Sequence, residues 1–210
     1  MARPRQTLLT RERIVEAAGK LVDAEGLEAV SVRRLAAELG VRGPSLYNHF
    51  ATKAEIVEAV AEAVIAQVDV SPFATHGWRD ALRLWAQSYH AVLSAHPNIV
   101  PVIATGPGRR PAALAMADTV YGALVDAGFP AARATHIGAL LRYLVTGSAL
   151  GSFSRGFVDD PQTYERYPHL RRAHLLTHYG RGVDEDAFTL GLETLISGLD
   201  SLLMRNGADR

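Results

Sequence analysis

Apolar residues recur at helical spacing along almost the whole chain, and no alternating strand pattern with a hairpin turn interrupts them. The first stripe is preceded by Thr10, a residue type that caps helix N-termini, and is followed by Gly26, which favours a helix end. The pattern predicts an all-α fold with a first helix from about Thr10 to Glu25. The apolar positions of that stripe are Ile14, Ala17, Ala18, Leu21 and Val22.

Local signals mark three further helices before residue 70. Ser31 is a cap, Gly40 supplies a turn, and Pro44 stands at a first-turn position where its missing N–H costs nothing. Thr52 and Glu55 form a capping box. The predicted helices are Ser31 to Leu39, a short one opened by Pro44, and Thr52 to about Val68.

The segment from Asp69 to Gly77, with Ser71-Pro72-Phe73, has the composition of a break and is interpreted as a domain boundary. The polar segment from Phe153 to Asp184 is predicted to be a long connection. The predicted domains are therefore a head at residues 1–52, a connecting helix at 53–68 and a larger helical domain at 69–210. Within this larger domain the helices are expected near Trp78–Ala95, Pro97–Ala104, Pro111–Ala127, Ala131–Ser152 and Asp186–Met204.

Composition restricts the chemistry that the chain can perform. The absence of cysteine excludes disulfides, thiolate catalysis and cysteine-ligated zinc. The first residues lack the apolar core of a signal peptide, which favours a cytoplasmic protein. The uncharged stretch from Leu84 to Gly108 is interrupted by polar residues and prolines, so no membrane span is expected. The net charge is zero, but residues 1–55 carry nine Lys/Arg against seven Asp/Glu. Near the N-terminus Arg3, Arg5, Arg11 and Arg13 face only Glu12, which suits either an arm that contacts phosphates or an ordinary solvated tail.

The segment from Ser31 to Phe50 has the pattern of a helix-turn-helix. Small Ala36 allows two helices to cross closely, and Gly40 permits the tight turn between them. The face that remains outside this small core is polar. It carries Ser45, Tyr47, Asn48 and His49, which could enter a DNA major groove, and Arg33, Arg42 and Lys53, which could hold phosphates. The alternative is a helical hairpin with an incidental polar face.

The segment from Leu9 to Val60 resembles the head of TetR-family transcriptional regulators, above all in Leu35-Ala36-Ala37-Glu38-Leu39-Gly40-Val41 and Leu46-Tyr47-Asn48-His49-Phe50. A second resemblance, to the C-terminal domain of the tetracycline-repressor branch, lies in Phe188–Leu199. The first resemblance implies that operator DNA is contacted by Arg33, Pro44, Ser45, Tyr47, His49 and Lys53. Gly43 stands where some relatives carry a base-reading amide, so base readout is expected to move to Arg42, Ser45, Tyr47 and Asn48.

The resemblance also implies a chamber for a small-molecule effector among the central helices. Its expected lining is Trp85, Tyr89, His96, His136, Leu140 and Arg142. Trp78, Leu82, Trp85, Tyr89 and Val92 form one helical stripe, which residue by residue favours ordinary core over a pocket wall. In tetracycline-binding relatives a histidine ligates magnesium before a Thr-Xaa-Pro turn. Aligning Thr105-Gly106-Pro107 with that turn puts Val102 there, so tetracycline–magnesium is not the expected ligand.

The glycine-containing helices near Ala131–Ser152 and Asp186–Met204 allow close backbone approach. Their glycines could serve internal packing, but the resemblance implies a four-helix bundle between two copies of the chain. The expected interface residues are Gly138, Leu141, Val145, Phe188, Leu192, Leu195 and Leu199.

Other sites are not expected. His174 and His178, four residues apart with His169 nearby, are interpreted as solvated loop histidines rather than metal ligands. No cofactor is predicted, and Gly106-Pro107-Gly108 does not follow a strand as a dinucleotide motif requires.

The leading hypothesis is a homodimeric repressor, not an enzyme, that binds a palindromic operator and is released by a small molecule. The alternatives are a ligand-independent structural DNA-binding protein and an enzyme with a DNA-binding appendage.

Overall fold

The computed structural model describes residues 9–106 and 108–208, with the side chains of Arg181 and of residues 204–208 left undescribed. The predicted all-α fold is confirmed for this part of the chain, which contains α-helices, 3-10 turns and no strand. Of the predicted phosphate-contacting arm, Arg3 and Arg5 lie outside the described residues, whereas Arg11 and Arg13 lie in the first turn of the first helix. The α-helices are α1 (Arg11–Glu25), α2 (Val32–Leu39), α3 (Gly43–Tyr47), α4 (Lys53–Ile65), α5 (Pro72–Thr75), α6 (Trp78–Ala95), α7 (Val100–Thr105), α8 (Pro111–Asp126), α9 (Ala131–Ala149) and α10 (Leu176–Ala208).

The chain divides into two compact units, of which the first comprises Met1–Gln67 and His96–Ala113. Three predicted caps set its helix starts, because the side-chain oxygens of Thr10, Ser31 and Thr52 accept hydrogen bonds from backbone N–H groups three residues later. The apolar faces of its helices meet in a small core. The core side chains include Ile14, Ala18, Val22, Leu35, Leu46, Phe50, Ile56 and Val60.

The turn between α2 and α3 depends on Gly40, which has a φ of 65° in the left-handed region that side-chain-bearing residues rarely adopt. The Val41 N–H donates to the Ala36 carbonyl at 2.9 Å, which satisfies an otherwise unpaired carbonyl at the end of α2. Pro44 lies in the first turn of α3, where no intrahelical donor is needed. The sequence between Ser31 and Phe50 therefore encodes the helix-turn-helix locally.

Residues 96–113 belong to the first unit, although the predicted linear division placed them in the domain from residue 69 onward. Polar contacts explain this difference. Asn98 Nδ2 donates to the Val22 carbonyl at 2.8 Å, and the Ala112 N–H donates to the Glu62 carboxylate at 2.8 Å. The segment is thus attached to both α1 and α4.

The second unit comprises Val68–Ala95 and Leu114–Arg210. Within it α6 packs against α5, α9 and α10, and α9 packs against α10. Its buried side chains include Leu82, Trp85, Tyr89, Leu124, Phe129, Ile137, Leu141, Val145, Phe188, Leu192 and Ile196.

Helix bounds in the C-terminal half differ from the prediction. The last helix begins at Leu176 rather than near Asp186, so the preceding connection is shorter and contains 3-10 turns. The polar composition of this segment gave no sign of the helix. Gly180 lies in it because an added Cβ would collide with the Ser154 side chain. The segment expected as Pro97–Ala104 is a 3-10 turn at Pro97–Ile99 followed by α7.

Candidate nucleic-acid interface

The nine residues predicted to contact DNA lie within residues 33–53 of one compact unit. Tyr47 is a large side chain with 57% of its surface exposed, at the C-terminal end of α3. Arg33, Arg42, Pro44, Asn48 and Lys53 are also exposed, and Gly43, Ser45 and His49 are partly buried. This is the mixture that a groove-reading face needs, with cations for phosphates and polar or aromatic groups for base edges.

Two buried residues fix the short helix α3. Leu46 is 1% exposed and Phe50 is 3% exposed, so both anchor the segment in the core of the first unit. The N–H groups of His49 and Phe50 both donate to the Leu46 carbonyl at 3.0 Å. Tyr47 and Asn48 lie between these anchors and are held outward.

Arg11 was predicted only as part of the basic N-terminal arm, not as a residue that positions α3. Its guanidinium donates to the His49 carbonyl and lies over the Phe50 ring, with its central carbon 3.9 Å from the ring centroid. Arg11 therefore holds the chain directly after α3. Sequence patterns could not reveal this role, because the bond joins residues 38 positions apart.

Carboxylates accompany the cations at the edge of this face. Lys53 Nζ lies 3.5 Å from Glu28 Oε2, and the Arg34 guanidinium pairs with the Glu25 carboxylate. All four side chains are well exposed, so both pairs are weak and leave the cations available to another anion.

Two family models match the chain. The model described as "Bacterial regulatory proteins, tetR family" matches residues 14–60, and the model described as "Tetracyclin repressor-like, C-terminal domain" matches residues 72–203. The chain belongs to the TetR family. It is accordingly a ligand-responsive DNA-binding transcriptional regulator, as the sequence predicted.

Individual relatives agree with this assignment. The tetracycline repressor protein class C of Escherichia coli is 32% identical over 205 residues, covering 92% of each chain. An HTH-type transcriptional regulator of Saccharopolyspora erythraea is 36% identical over 141 residues, which are 67% of this chain and 60% of that relative. The TetR-family protein ActR of Streptomyces coelicolor, solved in complex with (S)-DNPA, has a TM-score of 0.76 at 29% identity, covering 93% of this chain and 98% of ActR.

The TetR-family resemblance had implied six effector-pocket residues, and the structure does not bring them together. Trp85 and Tyr89 are buried in the second unit, with ring centroids 5.9 Å apart. His96 lies in the first unit, where its Nδ1 is 2.9 Å from Asp23 Oδ1. The other three, His136, Leu140 and Arg142, are exposed on α9. Sequence spacing identified helices but not which face of α9 turns inward.

A groove of about 750 Å³ lies in the second unit beside the buried aromatic residues. Phe73 lines it and contacts Trp85, with centroids 6.2 Å apart, and Trp78 lines it while packing edge-on against Phe129. The Trp85 indole N–H is buried and has no hydrogen-bond partner. The remaining lining includes Val70, Ser71, His76, Asp118, Thr119 and Gly122.

Most residues predicted for the dimer interface lie in the interior of the protomer. Gly138 approaches Tyr121 so closely that an added Cβ would collide with the ring. Leu141, Val145, Phe188, Leu192 and Leu199 are buried, and Leu195 is partly buried. Helices α9 and α10 also carry exposed apolar side chains on a second face, here called the outer stripe. The apolar pattern of the sequence did not distinguish this face from the buried one. The large exposed members of the outer stripe are Leu140, Tyr143, Leu150, Tyr179, Leu190 and Leu202.

The predicted absence of a metal centre rests on the sequence. His178 Nε2 lies 3.5 Å from Asp159 Oδ2, and among the described residues no three His, Asp or Glu side chains are grouped to hold an ion. No described helix is long and apolar enough to cross a bilayer.

Proposed function

We propose that the chain is a homodimeric cytoplasmic repressor, without catalytic turnover, that leaves a palindromic operator when a small molecule binds its second unit. The observation that carries the DNA-reading role is the exposed face around Tyr47, which is anchored from below by Leu46 and Phe50. On a dimer, two such faces read half-sites about 34 to 36 Å apart, one turn of B-form DNA.

The specific contacts follow from exposure and chemistry. Arg33 and Lys53 hold phosphates, and Arg42, Ser45, Tyr47 and Asn48 read the bases, with Pro44 and His49 against the backbone. Gly43 has no side chain with which to read a base. A larger residue would fit here, because an added Cβ would make only an ordinary contact with Val32. Operator choice therefore rests most on Arg42, whose guanidinium can bond two acceptors of one guanine.

Release requires an element that both the ligand and the DNA influence. The chain leaves α6 of the second unit and enters residues 96–113, which are bonded to α4 of the first unit through Arg110, Ala112 and their glutamate partners. Helix α4 begins at Lys53, a proposed phosphate contact. A ligand that shifts residues 96–113 would therefore alter the presentation of the reading face.

The effector is proposed to be a polycyclic aromatic molecule that carries a hydrogen-bond acceptor. The aromatic groove with Phe73 and Trp78 supplies flat apolar surface, and the Ser71 hydroxyl that lines it can donate a hydrogen bond to an acceptor. ActR has been solved with actinorhodin, and a TetR variant of Acinetobacter baumannii has been solved with minocycline. Tetracycline–magnesium is not expected here, because Val102 offers no metal ligand at the aligned position.

The dimer interface is proposed to use the outer stripe of α9 and α10. Tyr143 and Leu190 are 71% and 70% exposed, and the small residues Gly147 and Gly198 allow close helix approach. A four-helix bundle from two copies would cover this stripe. Leu190→Asp is expected to convert the dimer to monomer in sedimentation equilibrium, while the exposed Leu114→Asp on α8 leaves it dimeric.

The DNA-reading role is tested by selecting genomic fragments with the purified protein and measuring operator binding by fluorescence anisotropy. Tyr47→Ala is expected to abolish specific binding while the dimer stays intact. Arg33→Ala and Lys53→Ala are each expected to weaken binding to all sequences and to flatten the salt dependence by about one unit of slope. Unchanged salt slopes would refute the phosphate contacts, and loss of the dimer in Tyr47→Ala would refute the proposed division of roles.

The effector role can be followed with the two tryptophans of the chain, Trp78 and Trp85. Titration with actinorhodin is expected to quench emission, and Trp78→Ala is expected to weaken binding by about tenfold through loss of the aromatic surface that lines the groove. Release of operator DNA at the same ligand concentration links the two sites. Quenching without release, or turnover of the ligand, would contradict the proposal.

A further inference from the structure

The first unit contains a second groove, lined by residues that do not belong to the aromatic groove. It has a volume of about 570 Å³ and runs along α1 and α4, a size within the usual range of small-molecule sites. Its apolar lining consists of Val15, Ala59, Val60, Ala63 and Val64, with Gly19 opening the α1 side. A side chain at Gly19 would have ordinary room, because its Cβ would lie 3.9 Å from Val60 Cγ1.

Acidic side chains predominate among the charged groups of this groove. Four carboxylates line it, from Glu12, Glu16, Asp23 and Glu62, against the cations Arg11 and Lys20 and the imidazole of His96. Both cations are already engaged, as are the carboxylates of Glu16 and Asp23, the latter with its Oδ1 2.9 Å from His96 Nδ1. Lys20 Nζ lies 2.7 Å from Glu16 Oε1, and Arg11 bonds the His49 carbonyl.

The carboxylate of Glu62 is the decisive group. Its Oε1 accepts from the Ala112 N–H at 2.8 Å, while its Oε2 is buried and has no hydrogen-bond partner. A buried carboxylate oxygen without a donor is costly, so a donor supplied by a ligand would be strongly favoured. A cationic N–H satisfies both the hydrogen bond and the charge.

We infer that this α1–α4 groove binds a small organic cation, an ammonium group carrying an apolar body, with the ammonium held by Glu62. The apolar body covers the valine and alanine lining, and the positive charge meets the excess of carboxylates. Neutral molecules of the same shape can cover the apolar lining but lack the attraction between the ammonium group and the carboxylates. None of the residues that line this groove is a proposed DNA contact or lines the aromatic groove, so the inference does not rest on the proposed operator or effector.

The test uses the full-length protein and two probes of matched shape, 4-phenylbutylamine and 4-phenylbutanol. Affinities are measured by calorimetry, and the site is mapped by amide chemical shifts. The amine is expected to bind about tenfold more tightly than the alcohol, with shifts in α1 and α4. Equal affinities, no saturable binding, or shifts confined to the second unit would overturn the inference.

Two variants locate the site independently. Glu62→Gln keeps an acceptor for the Ala112 N–H but removes the charge, so it is expected to abolish the preference for the amine; Glu38→Gln, a head glutamate outside the groove, is the control. Gly19→Met fills the groove and is expected to block both probes, whereas Gly19→Ala controls for the backbone effect. If Gly19→Met does not fold, Glu62→Gln alone decides. Amine preference that survives Glu62→Gln rejects the inference.

Discussion

The Arg110 guanidinium donates two hydrogen bonds to the Glu58 carboxylate, from Nε at 3.0 Å and from Nη2 at 3.1 Å. Arg110 is 6% exposed, and its Nη2 also donates to the Val102 carbonyl at 3.0 Å. A Cβ at Gly106 would occupy the space of the guanidinium, so the glycine is required for this arrangement. The pair therefore fastens residues 96–113 to α4.

Replacement of Arg110 by Met is expected to lower the free energy of unfolding by about 1 to 3 kcal/mol. The substitution leaves the Val102 carbonyl without this donor and Glu58 without its cation, and Glu58 retains partial access to water, which limits the loss. Urea unfolding measures the change. Arg109→Met alters the exposed neighbour and is expected to stay within about 0.5 kcal/mol of the parent. Similar losses in both variants would show that the pair contributes nothing specific.

Two glycines of α9 are expected to respond to alanine in opposite directions. Gly138→Ala pushes the Tyr121 ring aside and is predicted to destabilise the protein by about 1 to 2 kcal/mol. Gly147 has nothing within 4 Å of an added Cβ, so Gly147→Ala is predicted to stabilise the isolated protomer by about 0.5 to 1 kcal/mol through helix propensity. Thermal unfolding of both variants in the Leu190→Asp background avoids any dimer contribution. A cost for Gly138→Ala that persists in a Tyr121→Leu background would contradict the stated cause.

The head could be predicted in detail because its determinants are local. Thr10, Ser31 and Thr52 each bond a backbone N–H three residues away, and Gly40 is at the only bend that the motif needs. The start of α10 could not be predicted in this way. Glycine has a low helix propensity, so Gly180 gives no local signal for a helix. Its place in α10 is explained by the close approach of the Ser154 side chain, which is remote in sequence.

The prediction of the candidate sites was limited in the same way, by contacts between residues that are remote in sequence. The exposed residues proposed to contact DNA follow from a short motif. The bond from Arg11 to the His49 carbonyl spans 38 positions, so the sequence marked Arg11 only as a member of a basic arm. Helix α9 has two apolar faces, and periodicity does not tell which one meets the protomer core. Leu141, predicted at the dimer interface, is buried in the protomer, and Leu140, predicted in the effector pocket, is 49% exposed.

Removal of the Glu28 carboxylate is expected to raise the affinity for DNA. Glu28 lies 3.5 Å from Lys53 Nζ and competes with phosphate for that cation, although the exposed pair is worth only about 0.2 to 1 kcal/mol. Glu28→Gln should therefore tighten binding by up to about fivefold at low salt, measured by anisotropy on random-sequence DNA. Glu38→Gln removes the same charge elsewhere in the head and serves as the matched control. An equal gain in both variants would indicate general electrostatics rather than release of Lys53.

The stack of His90 on Phe188 is expected to make stability depend on pH. The ring centroids are 4.0 Å apart with planes 13° from parallel, and burial lowers the pKa of His90 below its ordinary value of 6.5, against the opposing carboxylate of Glu185. A lowered pKa means that the unfolded chain takes up the proton more readily, so this contribution is intact above pH 6.5 and is lost as the pH falls through the folded pKa. Urea unfolding between pH 7.5 and 5 should show a smaller decline in His90→Phe, which keeps the stack, and a larger one in Glu185→Gln, which removes the carboxylate that raises the pKa of His90. A decline unchanged by His90→Phe would assign the pH dependence to other groups.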